Sequence, residues 1–468
     1  MRPLLKGSIE TPLSDEAPRA DGIEDNVDAH GASVPKYRIE GNMSENTAPV
    51  ALPSFREAFR FWLKLGFISF GGPAGQIAVM QHELVDERRW IGQGAFLRAL
   101  NFCMLLPGPE AQQLATYIGW RLHGIKGALT AGILFVLPGA LILYALAFTA
   151  AAYGNVLQVA AVFSGLKPVV VAIVAHAVWR IGKRTLHGWI GLAVAAVSFL
   201  AIYVFHIPFP AIIVAAGLLG FCVGRKYPTA FSSGHAPETA SSELSGPKPS
   251  WSRLMRMAAL YVVLLVVPIA IIIGIAGPEP FLTIARFFTQ AAFVTFGGAY
   301  AVLPYVADAA VNHFHWISAD EMINGLALAE TTPGPLILVL EYVGFFAGWN
   351  SGVLTPLCAA TLGALISTYA TFLPSIFLIL IGAPYIERIT RFPGAASALG
   401  AITTAVVGVI LSLTVFLAKN VTVVDGKLDW IAIAAILVTM GLLLRFSPRL
   451  HWLVAGGAIF GLVRAALA

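Results

Sequence analysis

The 468-residue chain has few charged residues and few cysteines, and both shortages restrict what it can be. Asp, Glu, Lys and Arg make up 12% of the residues, about half the share of soluble domains. The three cysteines form no CxxC pair, so no disulfide, zinc or iron–sulfur site is predicted. HExxH and GxxxxGK[ST] are also missing, which argues against a zinc hydrolase and an ATP-driven pump. We therefore predict no catalytic residue, no metal and no cofactor.

Long apolar runs take the place of charge. Hydrophobic residues make up 57% of the chain, and many lie in runs close to the roughly 20 residues that a transmembrane helix needs. This pattern predicts an all-α polytopic membrane protein. The predicted spans are Thr130 to Ala152, Val156 to Trp179, Trp189 to Phe205, Ile207 to Val223, Ala258 to Ile275, Leu357 to Ile381, Ala395 to Ala418, Trp430 to Leu444 and His451 to Leu467.

The first 54 residues differ from the rest. They contain nine acidic and five basic residues and no apolar run, a composition typical of a disordered acidic tail. The chain does not open on a basic segment followed by an apolar core, so no cleaved signal peptide is predicted. The other residues include 25 basic and 16 acidic ones, an excess that indicates cytoplasmic loops rather than nucleic-acid binding.

The chain contains an internal repeat. A shift of 226 residues aligns 13 identical residues between 55–109 and 281–335, and a shift of 236 aligns FVLPGALIL with TFLPSIFLIL. Such self-similarity predicts two homologous halves. The predicted domains are a cytoplasmic tail (1–54), a first transporter repeat (55–224), a polar cytoplasmic linker (225–256), a connecting transmembrane helix (257–276) and a second repeat (277–468).

Positive charge predicts that the two repeats have opposite orientations. In the first repeat the loop at 180–184 and the exit at 225–226 are basic, whereas in the second the corresponding loop at 418–429 is neutral and the next turn, 445–451, is basic. Basic loops face the cytoplasm, so the connecting helix supplies the odd crossing that inversion requires. Inverted repeats with broken helices are the architecture of many secondary transporters. We expect a cytoplasmic N-terminus and a periplasmic C-terminus.

Four breaks rich in Gly and Pro interrupt the apolar segments at matched positions. They read FGGPAG and LPGPE in the first repeat and FGGAYA and TPGPL in the second. Breaks in the hydrocarbon region persist only where protein or a watery cavity covers the unpaired backbone groups. A helix that restarts after Pro-Gly-Pro directs free N–H groups and its positive dipole end at the gap. The breaks therefore predict an anion site, and simple helix kinks are the alternative.

The number of membrane crossings depends on what each break does. If the breaks form the tips of re-entrant hairpins, the chain crosses nine times, and if the broken segments each span the membrane, it crosses thirteen times. Arg88 and Arg89 face the cytoplasm only in the first scheme, so the charge pattern favours hairpins.

Ionisable residues near the breaks are predicted coupling groups, because charge within a membrane is costly. Glu110 directly follows Pro-Gly-Pro, in the first turn of the restarting helix, where a carboxylate is favoured. It is either a partner of the helix dipole or a group whose protonation is linked to the binding of a competing anion. No coupling group has an ionisable counterpart in the other repeat, which predicts an asymmetric path. The coupling residues are Lys64, Glu110, Glu330 and Glu341.

The segments FGGPAGQIAVMQHELVDERRWIG and NFCMLLPGPEAQQLATYIGW, with FGGAYAVLPYV, WISADEM and ETTPGPL, resemble the chromate ion transporter superfamily in its long two-domain form. The resemblance covers roughly residues 55–467. It implies a bacterial inner-membrane protein that exports chromate and confers chromate resistance, with sulfate as a competing tetrahedral dianion. The implied substrate-binding residues are Gly71, Gly72, Pro73, Gln76, Pro107, Gly108, Pro109, Gln112, Gln113, Gly297, Gly298, Pro333, Gly334 and Pro335.

The membrane potential is sufficient to drive export of a dianion. With a negative interior, outward movement of two negative charges gains about 4.6 kcal/mol per 100 mV, and proton entry in exchange would add to this. A carrier of sulfate or another oxyanion and a passive anion channel remain alternatives, since helix N-termini recognise charge and shape. A membrane enzyme would need a clustered nucleophile and base or metal ligands. A homodimer in the lipid bilayer is an open alternative to a monomer.

Overall fold

The computed structural model describes residues 52–70, 72–186, 188–226, 251–386, 394–424, 426–446 and 450–467. Most of the predicted acidic tail and most of the predicted linker lie outside these ranges, as does Gly71. The described residues of the first half form α1 Phe55–Ile68, α2 Gly72–Gln81 with a π-helical turn His82–Glu87, α3 Gln93–Met104, α4 Glu110–Tyr153, α5 Leu157–Thr185, α6 Gly188–Tyr203 and α7 Phe209–Lys226.

The second half repeats this order of elements after α8. A short antiparallel hairpin pairs Val423 with Leu428 and Val424 with Lys427. The elements are α8 Trp251–Ala276, α9 Phe281–Val294, α10 Ala299–Asp308 with a π-helical turn Ala309–His313, α11 Ala319–Thr331, a 3₁₀ turn Leu336–Leu338, α12 Val339–Trp349, α13 Pro356–Gly382 with a 3₁₀ turn Ala383–Tyr385, α14 Ala395–Thr422, β1 Val423–Val424, β2 Lys427–Leu428, α15 Trp430–Phe446 and α16 Leu450–Leu467.

The protein is an all-α membrane protein. Six of the described helices, α4, α5, α8, α13, α14 and α16, are long and apolar enough to cross a membrane. Five further helical segments are apolar but shorter. The residues of all nine predicted runs are helical except at a few ends, so their assignment to helices is confirmed. The connecting helix α8 begins at Trp251, ahead of the predicted start at 257.

Helix α4 is two helices joined by a sharp turn. At a rise of about 1.5 Å per residue, a straight helix of its length would be about twice as long as the hydrocarbon core is thick. His123 and Gly124 have non-helical backbone angles, with φ of −139° and 61°. The backbone then reverses, so that Gly119 packs directly against Gly127. Residues 110–122 therefore pair with 125–153 as a helical hairpin.

Helices α1 and α2 form a helical hairpin. Lys64 Nζ lies 2.9 Å from Glu83 Oε1, and Arg88 Nη1 lies 3.9 Å from Glu57 Oε1. The Arg88 guanidinium also lies over the ring of Phe61, 5.1 Å from its centroid. Residues late in this segment thus return to residues early in α1, as the re-entrant scheme expects. The FGG break forms the tip, at residues 69–70.

The other three breaks also form hairpin tips. In the α9–α10 hairpin, the rings of Phe287 and Trp316 lie 5.8 Å apart. In the α3–α4 hairpin, Phe102 and Tyr117 lie 5.8 Å apart on either side of the tip at residues 105–109. In the α11–α12 hairpin, the side-chain amide of Asn350 donates to the carbonyl of Trp316 at 3.0 Å. These contacts favour the hairpin scheme over thirteen crossings.

All three cysteines lie in apolar segments, which alone would suggest that they belong to the core, but only one of them does. Cys103 is buried in α3, whereas Cys222 and Cys358 are exposed on the outer faces of α7 and α13. In a membrane protein the outer face of an apolar helix contacts lipid, so an apolar sequence context does not distinguish core from lipid-facing positions.

Candidate functional site

The four hairpin tips meet in two reciprocal pairs. The backbone N–H of Gly334, in the α11–α12 tip at residues 332–335, donates to the carbonyl of Ser69 at 2.8 Å. The backbone N–H of Gly108 donates to the carbonyl of Thr295, in the α9–α10 tip at residues 295–298, also at 2.8 Å. Each FGG tip is thus bonded to the Pro-Gly-Pro tip of the other half, and the two bonds join residues that correspond under the shift of 226.

Ser69 and Thr295 have a second shared role. The Ser69 hydroxyl donates to the carbonyl of Leu65 at 2.6 Å, and the Thr295 hydroxyl donates to the carbonyl of Ala291 at 2.6 Å. Both side chains are fully buried. Each hydroxyl satisfies a carbonyl at the end of its helix, where helix geometry leaves the last carbonyls without an intrahelical donor.

Gln76 strengthens only one of the two tip pairs. Its side-chain amide donates to the carbonyl of Gly334 at 2.5 Å and lies 3.4 Å from the carbonyl of Ser69. The counterpart of Gln76 under the shift of 226 is Val302, which is buried and has no polar side-chain atom. The pair Ser69–Gly334 is therefore clamped by a side chain, and among the described residues no side chain clamps the pair Thr295–Gly108 in the same way.

Gly108 lies at a close approach between three segments. Its φ is 125°, a backbone conformation that L side chains rarely adopt. A Cβ atom at this position would collide with the hydroxyl of Ser375 on α13 and with the side-chain amide of Gln113. Gln113 in turn donates to the carbonyl of Pro107 at 2.7 Å. The sequence requires glycine here because both side chains crowd the backbone.

Several buried polar atoms of the first turn of α4 and of the neighbouring α13 lack a hydrogen-bond partner within the described part of the chain. They are both amide atoms of Gln112, the Oε1 of Gln113 and the hydroxyl of Ser375. All three residues are at most 1% exposed. Buried polar groups without partners are rare and costly in folded proteins. The Gln112 amide nitrogen and the Ser375 hydroxyl are donors that a bound anion would satisfy, whereas the two amide oxygens are acceptors and would need a donor.

The predicted coupling residues lie in different environments. Glu330 is buried and accepts a hydrogen bond from the Tyr300 hydroxyl at 2.6 Å. Glu341 is also buried, and its Oε2 lacks a partner among the described residues. Glu110 is half-buried at the first position of α4. Lys64 is exposed and paired with Glu83.

That ion pair affects the charge of Glu83 at the base of the α1–α2 hairpin. The hydrogen bond from Lys64, with a further contribution from Arg88, holds the pKa of Glu83 below its ordinary value. The side chain of Lys64 is 54% exposed, so this pair belongs to the hairpin surface and not to the meeting tips.

The structure brings most of the predicted binding residues to the tips. Gln76, Gly108 and Gly334 take part directly in the contacts between halves. Ser375 was missed by sequence reasoning, although the alignment of FVLPGALIL with TFLPSIFLIL places this hydroxyl residue of an otherwise mostly apolar motif opposite Gly139. Gly71 lies outside the described residues. The remaining predicted residues at or beside the tips are Gly72, Pro73, Pro107, Pro109, Gln112, Gln113, Gly297, Gly298, Pro333 and Pro335.

Broken helices whose tips converge on buried, unpaired amide and hydroxyl groups are characteristic of polytopic membrane transport proteins. The donors here are neutral, and they lie beside a helix N-terminus that favours negative charge. Such a site suits a small anion. This protein belongs to the chromate transporter family, since the family's sequence model matches residues 56–221 and again residues 282–462.

Curated relatives agree with this membership. The chain is 28% identical over 426 residues to a chromate transport protein of Cupriavidus metallidurans, covering 90% of this chain and 95% of the relative. It is 30% identical over 395 residues to a chromate transport protein of Pseudomonas aeruginosa, covering 83% and 87%. A shorter relative, an uncharacterized transporter of Bacillus subtilis, is 29% identical over 160 residues, 33% of this chain and 79% of its own length. No solved structure matches the chain.

We expect replacement of Gln76 by Leu to lower the melting temperature of the purified protein in detergent. The change leaves the buried carbonyl of Gly334 with one donor fewer, at a cost of about 1 to 2 kcal/mol. Gln93→Leu is the matched control, because Gln93 is exposed at the start of α3. Equal melting temperatures for the Gln76→Leu and Gln93→Leu variants would contradict a clamping role for Gln76.

Proposed function

We propose that the protein is a secondary transporter that moves chromate out of the cytoplasm and thereby confers chromate resistance. The observation that carries the proposal is the pair of buried, unpartnered donors beside the start of α4, the Gln112 amide nitrogen and the Ser375 hydroxyl, in a member of a transporter family. The relatives from Cupriavidus metallidurans and Pseudomonas aeruginosa are named chromate transport proteins, which supports chromate as the substrate.

The proposed binding residues suit a tetrahedral dianion. Amide and hydroxyl donors, together with the N–H groups of a helix N-terminus, hydrogen-bond to oxyanions without a bound cation. The cluster occurs where α4 begins after Pro109. Sulfate has the same charge and shape as chromate, so we expect it to compete for the same donors. The proposed coupling residues are Glu110, Glu330 and Glu341, with Lys64 at the hairpin surface.

We further propose that the two halves are inverted repeats, 55–224 and 277–468. The reciprocal bonds Gly334–Ser69 and Gly108–Thr295 support a pseudo-two-fold relation between the halves. These bonds join the hairpins of the two halves at their tips, as expected if the hairpins enter the membrane from opposite sides. With four re-entrant hairpins, the remaining long segments give nine crossings, a cytoplasmic N-terminus and a periplasmic C-terminus.

The driving force in this proposal is the membrane potential. Outward movement of a dianion from a negative interior releases about 4.6 kcal/mol per 100 mV, so export can proceed without ATP. The proposed location is the inner membrane of a bacterium. Gln76 clamps one tip pair and not the other, so the two halves differ chemically. In this proposal the halves move relative to one another and expose a single site to each side of the membrane in turn.

Two introduced cysteines test the inversion. Glu87 and His313 correspond under the shift of 226 and are both exposed at the bases of the α1–α2 and α9–α10 hairpins. In a variant whose native Cys103, Cys222 and Cys358 are replaced by Ala, we expect Glu87→Cys to react with a membrane-impermeant maleimide only from the cytoplasmic side. We expect His313→Cys to react only from the periplasmic side. Reaction of both from one side would contradict inverted halves.

Chromate accumulation in inside-out membrane vesicles tests the transport direction. We expect labelled chromate to accumulate when an interior-positive potential is imposed, because the vesicle interior corresponds to the periplasm. Excess sulfate should reduce the accumulation if the site recognises only a tetrahedral dianion. Vesicles without the protein and vesicles without a potential are the controls. Rapid equilibration with no accumulation would identify a passive channel, and accumulation only in right-side-out vesicles would overturn export.

A further inference from the structure

We infer that the transported oxyanion binds at only one of the two Pro-Gly-Pro tips, the tip that begins α4, where Gln112 and Gln113 of the first half and Ser375 of the second half hold it. This inference rests on the proposed function and specifies its site. Symmetry alone would suggest two equivalent sites, one at each Pro-Gly-Pro tip, but the side chains at the two tips differ.

The tip that begins α4 has donors that nothing else uses. Helix geometry leaves the N–H groups of Glu110, Ala111 and Gln112 without an acceptor inside α4. Both side-chain amide atoms of Gln112 and the hydroxyl of Ser375 are unpartnered among the described residues, and these side chains are 0% and 1% exposed. The Ser375 hydroxyl lies directly against the backbone of Gly108. Ser375 of the second half therefore lies against the backbone just before this helix N-terminus, and the Gln112 amide lies within the first half, beside Gly132 of α4.

The tip that precedes α12 is filled with apolar side chains. Under the shift of 226, Gln112 corresponds to Leu338 and Gln113 to Val339, both at most 1% exposed. Under the shift of 236, Ser375 corresponds to Gly139, which packs against the carbonyl of Pro333 and the side chain of Leu338. No side-chain donor of the described residues replaces the two unpartnered donors, the Gln112 amide nitrogen and the Ser375 hydroxyl, of the first tip. At this tip the carbonyl of Gly334 also accepts a hydrogen bond from the side-chain amide of Gln76.

Open space is found at both FGG tips and does not distinguish the two Pro-Gly-Pro tips. The α9–α10 tip that bonds to Gly108 ends at Gly298, a buried residue with φ of 93°. A Cβ at Gly298 would have no heavy atom within 4 Å, and the same holds at its counterpart Gly72. The distinction between the two sites therefore rests on their side chains. The second half thus contributes the neighbouring tip and Ser375, and the first half contributes the helix N-terminus and both glutamines.

A ligand role and a structural role predict opposite effects of Gln112→Leu on the empty protein. If the Gln112 amide supports the fold, its removal lowers the melting temperature. If the amide binds only a ligand, it is buried without a partner in the empty protein and destabilises it. Replacement by an apolar residue of similar size then leaves the melting temperature unchanged or raises it. Leu is also the residue found at the corresponding position, Leu338.

The experiment measures chromate affinity and melting temperature on purified full-length protein in detergent, with sodium chromate and then sodium sulfate as probes. For Gln112→Leu and Ser375→Ala we expect a dissociation constant raised by about tenfold or more, as loss of a hydrogen bond to a charged ligand implies. We expect no fall in the melting temperature of the empty protein. Ser367→Ala is the matched control, because Ser367 is buried on the same helix and its hydroxyl already donates to Ala364 at 3.0 Å.

Two outcomes would overturn this inference while leaving the proposed function intact. One is wild-type affinity for chromate in both variants, together with transport in vesicles. The other is a lower melting temperature of both empty variants with unchanged affinity, which would make the cluster structural. Failure of the wild-type protein to bind either probe and to transport chromate would instead overturn the proposed function itself.

Discussion

The structure depends on the need to pair backbone groups inside a membrane. Each helix break leaves N–H and C=O groups that lipid cannot satisfy, and the protein meets this need by bringing breaks of opposite halves together. The carbonyl of Ser69 accepts from Gly334, and the carbonyl of Thr295 accepts from Gly108. Because each half completes the breaks of the other, neither half is expected to be stable alone at its tips. The same requirement fixes the breaks at the centre of the protein, where a substrate site can form.

Small residues allow the rest of the fold to close around these tips. In a bilayer, helices associate through close packing and not through burial of apolar surface from water. Gly165 of α5 lies against the backbone of Gly457 and Gly461 of α16, and Gly408 of α14 lies against Ala195 of α6. These contacts hold the long helices close together around the hairpins. The apolar outer faces remain available to lipid, and the polar side chains are concentrated where the hairpins meet.

Much of the fold could be predicted from the sequence, whereas much of the site could not. Apolar runs of membrane-spanning length identified the long helices, and Gly-Pro breaks identified the tips. Periodicity cannot decide between a hairpin and a crossing, a choice that depends on contacts such as Lys64 with Glu83. The bond between Gly108 and Thr295 joins residues far apart in sequence, so no local pattern indicates it. Ser375 was missed for the same reason: its role comes from lying against Gly108 in the folded chain.

The position of Glu110 bears on how protons could be coupled to the proposed export. If the anion and the Glu110 carboxylate compete for one helix N-terminus, the anion binds more tightly once Glu110 is protonated, and by reciprocity the bound anion favours the proton. The proton would then leave with the anion. Export of a dianion with one proton gains about 2.3 kcal/mol per 100 mV, against about 4.6 for the dianion alone and about 6.9 for exchange with an entering proton. Competition at this helix end therefore favours cotransport over exchange, at a lower but still favourable driving force.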